Sequence, residues 1–413
     1  MKKKRIGYFI DVAGLGGSPL YLKKIIMGLD TSKYEIYLFS PTEHDFLADF
    51  KNSDISCVFF NERNSSSNEI NKDMLNCNIG KYGYKKLWQK LIPQCLKLFI
   101  GEIREVIKYR KIFKDYKMDI FHSIEGCGDP ALIGAFLSGI PITIATYCTL
   151  PSSERSPNSI NFVRYLLERL TELCCKKIIV KTNVAKELWM KRLCAPGEKF
   201  LIIPNGINID FFRSPLQSEI NDLKKEVGIS DGVMVIGLTA RFEPSCDKGH
   251  ACLLKAIKMI VPNEKKIVFL FTGDGSERKS IEYQVKSYGL SQYVKFLRIR
   301  NDIEKLTWIY DIALLPSVSE ESFGWVMIEA MCCYKPVIAS RIGGIPEVVE
   351  DKKTGILVSP NNAKELADAL LLLINDCELR KRLGVAGRKR VEMYFSEKAM
   401  LEPTYRFYES IRR

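Results

Sequence analysis

The chain has 413 residues, 46% of them hydrophobic, and a formal net charge of +13. That length allows two or three domains at roughly 150 residues each, with an ordinary globular composition and room for a sizeable core. No apolar run reaches the ~18 residues of a membrane-spanning helix, and thirteen cysteines, an odd number without a C-x-x-C, argue against a disulfide framework.

The N-terminus, MKKKRIGYFI, imitates a secretory leader, but its apolar run Ile6–Ile10 stops at Asp11. A leader needs roughly 7–15 apolar residues. The expectation is a cytoplasmic chain with free, mostly buried thiols in a reducing compartment.

β-rich runs at 6–10, 35–39, 55–60, 118–122, 141–146, 177–181 and 200–203 read as strands. Helical periodicity fills 19–29, 85–115, 128–138, 160–175 and 183–193 between them. After the first strand, DVAGLGGSPLYL places Gly14, Gly16 and Gly17 before a helix. Glycines there permit a tight turn and close approach of backbone to a ligand. Residue 19 is Pro, so the G-x-G-x-x-G fingerprint is incomplete, which argues against a dinucleotide oxidoreductase. Gly16 and Gly17 therefore form either a loop near an acceptor or phosphate, or a plain turn. Ser65–Ser67 mark a further loop at 61–69.

Residues 81–117 hold eleven Lys/Arg against three acids, a local +8, with apolar residues at spacings of three and four. This pattern predicts a basic amphipathic helix pair broken at Pro93. It either docks on an anionic membrane face or packs on a sheet with its basic side solvated. His122 closes the strand at 118–122, as a functional residue or as a core imidazole. His44 and His250 read as structural or exposed. Cys246, His250 and Cys252 lack an evident fourth ligand, so they read as unrelated residues around a helix start.

The strand series then restarts at 233–239, 267–272, 294–297, 312–315, 337–340 and 355–358, with helices at 250–260, 277–288, 303–310, 324–333, 363–375 and 378–394. The simplest account is α/β: two Rossmann-like doubly wound units, 1–210 and 211–395, joined within PNGINIDFFRSP at 204–215. Ligands of such sheets sit at the carboxyl ends of strands. At those ends come Arg241 and Lys248 in ARFEPSCDKGH, Gly273 in GDG, and Glu321 and Glu329 with seven residues between them. Arg241 offers a fork and Lys248 a compact charge for phosphate; both could equally be solvated surface charges. A helix starting near Phe323 or Gly324 would add an anion-binding N-terminus. Paired carboxylates also cut glycosides. If all helix, though, 321–329 would separate them by about 12 Å, beyond the roughly 5–9.5 Å of glycosidases.

The segment EESFGWVMIEAMCCYKPVIASRIGGIPEVVEDKKTGILV resembles the donor-site signature of the family-four retaining glycosyltransferases, of GT-B fold. IIPNGINIDFF resembles their interdomain segment, and ARF…DKG and FTGDG fall in order. The resemblance covers 200–395 closely and the first half loosely. It implies that Glu329 holds the ribose of a nucleotide-diphosphate sugar and that Glu321 contacts the transferred sugar near the reacting carbon. Arg241 and Lys248 would neutralise the diphosphate. Phe323, Gly324, Gly273, Gly343, Gly344 and Glu347 would belong to the donor pocket. No metal or other cofactor is implied, and the chain has no Asp-x-Asp. The family's His-x-His appears here as His122-Ser123-Ile124, so acceptor-side chemistry falls to His122 or elsewhere, such as Glu125. The final helix, 396–413, would cross back onto the first domain. The partners expected are a nucleotide sugar and a lipid-linked or cell-surface glycan, with no nucleic acid, and a peripheral place on the inner membrane face. The rival is a non-catalytic nucleotide-sugar-binding or membrane-scaffold protein on the same fold.

Overall fold

A computed structural model describes residues 3–11, 17–41, 50, 53–60, 84–151, 159–261 and 266–411. Gly14, Gly16, His44, Ser65–Ser67 and Lys81 lie outside the described residues. The chain divides into two compact units. One comprises Met1–Val180, Lys186–Ile203 and Thr404–Arg413; the other comprises Lys181–Ala185 and Pro204–Pro403. The main division thus follows Ile203, earlier than the expected 210. The last helix, Glu397–Ser410, starts in the second unit, and from Thr404 its residues group with the first.

The first unit is built on β1 (Lys4–Ile10), β2 (Tyr34–Ser40), β3 (Ile55–Phe59), β4 (Ile120–Ile124), β5 (Ile142–Thr146), β6 (Lys177–Val180) and β7 (Phe200–Ile202). Among the described residues they form one parallel sheet in the order β3-β2-β1-β4-β5-β6-β7. The second unit repeats the plan with β8 (Met234–Thr239), β9 (Ile267–Thr272), β10 (Val294–Leu297), β11 (Ile312–Leu315), β12 (Val337–Ser340) and β13 (Gly355–Val358). Their order is β10-β9-β8-β11-β12-β13, again parallel. In each sheet the order reverses once, between β1 and β4 and between β8 and β11. Loops diverge there and leave a crevice at the carboxyl ends.

The second sheet shows why its strands read as unbroken apolar runs. Alternate residues point to opposite faces. Val235, Val268, Leu270, Ala313 and Leu315 enter one buried cluster. Their neighbours Ile236, Phe269, Phe271, Ile312 and Leu314 enter another. Both faces are covered, so both registers must be apolar.

Three expectations change. The helix Tyr84–Tyr116 runs continuously through Pro93 rather than breaking there. A proline removes one backbone hydrogen bond, and tertiary packing can carry a helix past it. The helix Gln217–Glu226 escaped the periodicity because Leu223 is its one buried residue. Finally, β4 extends to Ile124, so His122 is central in the strand and not at its end. Among the described residues no helix is long and apolar enough to cross a membrane.

Gly237, in β8, is fixed by packing: a methyl there would lie 2.3 Å from the ring of Tyr310, itself 3% exposed. Gly237→Ala should destabilise the chain by about 1–3 kcal/mol. Urea unfolding followed by tryptophan fluorescence measures it, and an unshifted midpoint would contradict this packing.

Candidate active site

The crevice between β8 and β11 gathers most of the residues that the sequence singled out in the second half. Arg241 leaves the end of β8 and is exposed. Among the described residues its guanidinium makes no hydrogen bond or ion pair; its charge helps hold the Glu243 carboxyl below its ordinary range, behind hydrogen bonds from Ser276. The loop continues to Lys248, whose ammonium pairs with the Glu321 carboxylate in the loop after β11. Ser317 Oγ donates to the same carboxylate at 3.0 Å.

Backbone contacts set this meeting. The Asp247 carbonyl accepts from Val318 N at 2.9 Å and Ser319 N at 3.1 Å. Asp247 N donates in return to Ser319 Oγ at 3.0 Å. Gly249 has φ +81°, and a Cβ there would strike the Pro316 carbonyl oxygen at 1.9 Å. Only glycine lets the two loops lie this close. Glu321 precedes the helix Trp325–Cys332 and does not belong to it. Gly324 caps that helix with φ 84° and no side-chain hydrogen bond. The helix therefore offers its positive end beside Lys248 and Glu321. Glu329 lies within the same helix, half-buried. Its charge adds to burial in raising the phenol of Tyr310 above the ordinary tyrosine range.

Several assigned residues take other work. Gly343 and Gly344 accommodate the Glu321–Ser322 backbone: a Cβ at either would meet the Glu321 or Ser322 carbonyl oxygen at 2.1 or 2.2 Å. Gly344 N donates to the Glu321 carbonyl at 2.7 Å. These glycines hold Glu321 in place. Gly273, with φ +136°, is similar: a Cβ there would meet the Ala240 carbonyl oxygen at 2.1 Å. The Phe323 side chain is 2% exposed and meets Phe395 edge-on at 5.5 Å, so it anchors the loop from the core rather than lining a pocket. Glu347 is also corrected. Its carboxylate accepts from Asn183 N, Asn183 Nδ2 and Val184 N, each at 2.8 Å. It caps the first turn of the helix Asn183–Leu193, a favourable place for a carboxylate.

His122 is corrected on similar grounds. It is 0% exposed, with Nδ1 at 2.6 Å from Tyr408 Oη and Nε2 at 2.7 Å from Thr146 Oγ1. That is the core imidazole of the two readings, with a hydrogen-bond partner on each nitrogen. At the β1/β4 crevice of the same unit, Glu125 instead adopts φ 65°, a left-handed conformation costly for a non-glycine residue. Its carboxylate accepts from Ser18 Oγ, one residue into the helix that Gly17 opens. Sequence reading missed Ser18, which carries no motif. His250 stacks on Phe242 with centroids 4.2 Å apart, and it is buried with Cys252 at a helix start.

Two doubly wound units, the second with carboxylate, ammonium and helix N-terminus at its switch point, define the GT-B class of α/β protein. The Anabaena protein HepE, solved with UDP-glucose, matches with a TM-score of 0.78 over 98% of this chain and 100% of that one, at 20% identity. The family model for glycosyl transferases group 1 matches residues 219–390. An uncharacterized glycosyltransferase of Methanocaldococcus jannaschii is 31% identical over 333 residues, 77% of this chain and 84% of that protein. The chain belongs to the group 1 glycosyl transferases. It is also similar to the UDP-Gal:alpha-D-GlcNAc-diphosphoundecaprenol alpha-1,3-galactosyltransferase of Escherichia coli, 27% identical over 67% of this chain and 72% of that one. The chain spans about half the length of two further relatives, 51% and 50%.

Burial holds the His250 imidazole down at about 4. The unfolded chain takes up this proton near pH 6.5 and the folded chain does not, so stability is present above pH 6.5 and lost toward pH 4. His250→Phe should reduce the loss between pH 7 and pH 5 by on the order of 1–2 kcal/mol. Urea midpoints at the two pH values measure it; an unchanged pH dependence would count against the buried neutral imidazole.

Proposed function

We propose that this chain transfers a sugar from a nucleotide-diphosphate sugar to a lipid-linked or cell-surface glycan, with retention at the anomeric carbon and without a metal ion. The observation that carries the reading is the pairing of Lys248 with Glu321 at the β8/β11 crevice, beside an uncapped helix N-terminus. A leaving diphosphate gains negative charge as the anomeric bond breaks. Fixed cations and a helix dipole aimed at that charge can stabilise it as a divalent ion does elsewhere. Lys248 and Arg241 supply the cations. Glu321 supplies a carboxylate for the sugar, near an oxocarbenium-like carbon. Glu329, further along the helix, suits the ribose hydroxyls. The acceptor hydroxyl attacks from the face that the diphosphate leaves, which retains configuration.

The relatives support the substrate classes. HepE was solved with UDP-glucose, and the E. coli relative acts on a sugar carried by diphosphoundecaprenol. A lipid-linked acceptor implies work at a membrane surface on the cytoplasmic side. On the acceptor side, we propose Glu125, beside Ser18 at the β1/β4 crevice, as the residue that meets a hydroxyl.

Thermal-shift and equilibrium binding over UDP-, GDP- and ADP-sugars, in chelator, identify the donor. Lys248→Ala should weaken the bound donor by roughly 10- to 100-fold, the worth of a charge-assisted contact. Glu321→Gln should keep donor binding within a few-fold and lower transfer by about 100-fold or more. Donor binding without turnover in the parent protein would favour the non-catalytic reading, and full transfer by Glu321→Gln would remove Glu321 from the chemistry.

A further inference from the structure

We propose that one helical layer of the first unit is a docking surface for an anionic lipid bilayer, an inference that rests on the lipid-linked acceptor reading above. The layer consists of the helices Tyr84–Tyr116, Pro130–Leu137 and Ser159–Cys174. They share a small core of Ile133, Val163 and Leu167, against which Leu98, Phe99 and Val106 pack. Gly134 brings the short helix close to the long one: a Cβ there would meet the Val106 carbonyl at 2.9 Å.

A helix covering a sheet needs one apolar stripe. The long helix has two. Its inner stripe includes Tyr109 and Phe113, buried at 6% and 0% exposure. Its second stripe, Leu96, Ile100, Ile103 and Ile107, is 40–56% exposed. At about 100° per residue these four positions fall within roughly 60° of one another. Lys97, Arg104 and Lys111 are exposed along one border of that stripe, and Arg110 and Lys114 continue toward its C-terminal end. Asp115 is exposed on the same border, one acid against these cations, so the border stays positive; Glu105, on the opposite side of the helix at about 100° per residue, lies 3.9 Å from Lys108.

The apolar surface does not stop at this helix. Arg110 Nε donates to the Leu137 carbonyl at 3.1 Å, which brings the exposed Phe136 and Leu137 alongside. On the third helix, Phe162, Leu170 and Leu173 form another exposed stripe, next to the Val163 and Leu167 seam. Scattered apolar side chains on a surface need no explanation, but exposed apolar stripes on packed neighbouring helices, one with a cationic border, do. Apolar side chains that enter the headgroup boundary, with Lys and Arg left at phosphate level, describe an interfacial surface. Charge complementarity selects anionic lipid over a second copy of this chain, whose identical face would bring the same cations together.

The test is co-sedimentation of the full chain with phosphatidylglycerol/phosphatidylcholine vesicles and with pure phosphatidylcholine vesicles. Binding should be at least ~10-fold tighter to the anionic vesicles and should weaken as salt is raised. Ile100→Glu combined with Ile103→Glu should abolish it while nucleotide-sugar affinity and Tm stay at parent values, which shows that the variant is folded. Lys97→Glu with Arg104→Glu and Lys111→Glu should weaken it mainly at low salt. Indifference of the parent protein to anionic vesicles overturns the proposal, and the transferase reading then survives if sugar nucleotides still bind. A parent dimer by light scattering that the Ile100/Ile103 variant breaks, without vesicle binding, also overturns it and assigns the face to a second copy. Vesicle binding by a protein that recognises no sugar nucleotide supports the surface and sinks the transferase reading.

Discussion

The site depends on one ammonium and one carboxylate meeting across a sheet's reversal point. Lys248 and Glu321 are far apart in the chain and come from loops after β8 and β11. Those strands are neighbours because the second half of the sheet grows outward from the first strand of the unit. Had the order been sequential, β8 and β11 would be separated and the pair could not form. A half-buried ion pair gives little net stability, since desolvation offsets much of the attraction. What it gives here is position. A lysine held beside a carboxylate is already aimed, and an incoming diphosphate competes for it with Glu321. On the proposed reading, that competition frees the carboxylate toward the sugar as the phosphate arrives.

The glycines show what backbone contact a motif position can carry. The family resemblance puts Gly273, Gly343 and Gly344 at the donor pocket. In the structure the space a side chain would need there is taken by carbonyl oxygens of Ala240, Glu321 and Ser322. The Gly-Gly run after β12 is therefore required by Glu321 itself, whose carbonyl receives the Gly344 amide. Motif spacing survives because it encodes this backbone-on-backbone contact.

Both sheets were legible because parallel strands buried on two faces leave long apolar runs, and nearly every strand falls within one or two residues of its sequence reading. What sequence could not supply was contact at distance. His122, at a strand end in the sequence, read either as a functional residue or as a core imidazole. Its partners are Thr146, on a neighbouring strand, and Tyr408, on the last helix. Nothing near residue 122 announces a tyrosine 286 positions away. Glu347 sits in the family-like run and looked like a pocket residue, yet its oxygens face the amides of residues 183 and 184. In both cases the residue type was informative and its partner was not.

The basic segment at 81–117 marks a different limit. Charge counting found the excess, and periodicity found apolar residues, but neither separates an inward stripe from an outward one. The long helix has both, about a third of a turn or more apart, and only the packing of Gly134 and the Ile133 cluster decides which is covered. The exposed stripe would be a liability in a protein that met only water, because isolated apolar faces associate. Exposed apolar side chains continue onto two neighbouring helices among the described residues, so the proposal concerns the layer as a whole rather than one helix. A flat or gently curved partner with negative charge meets both requirements at once: its apolar interior takes the stripe while its charged surface takes the cations on the border.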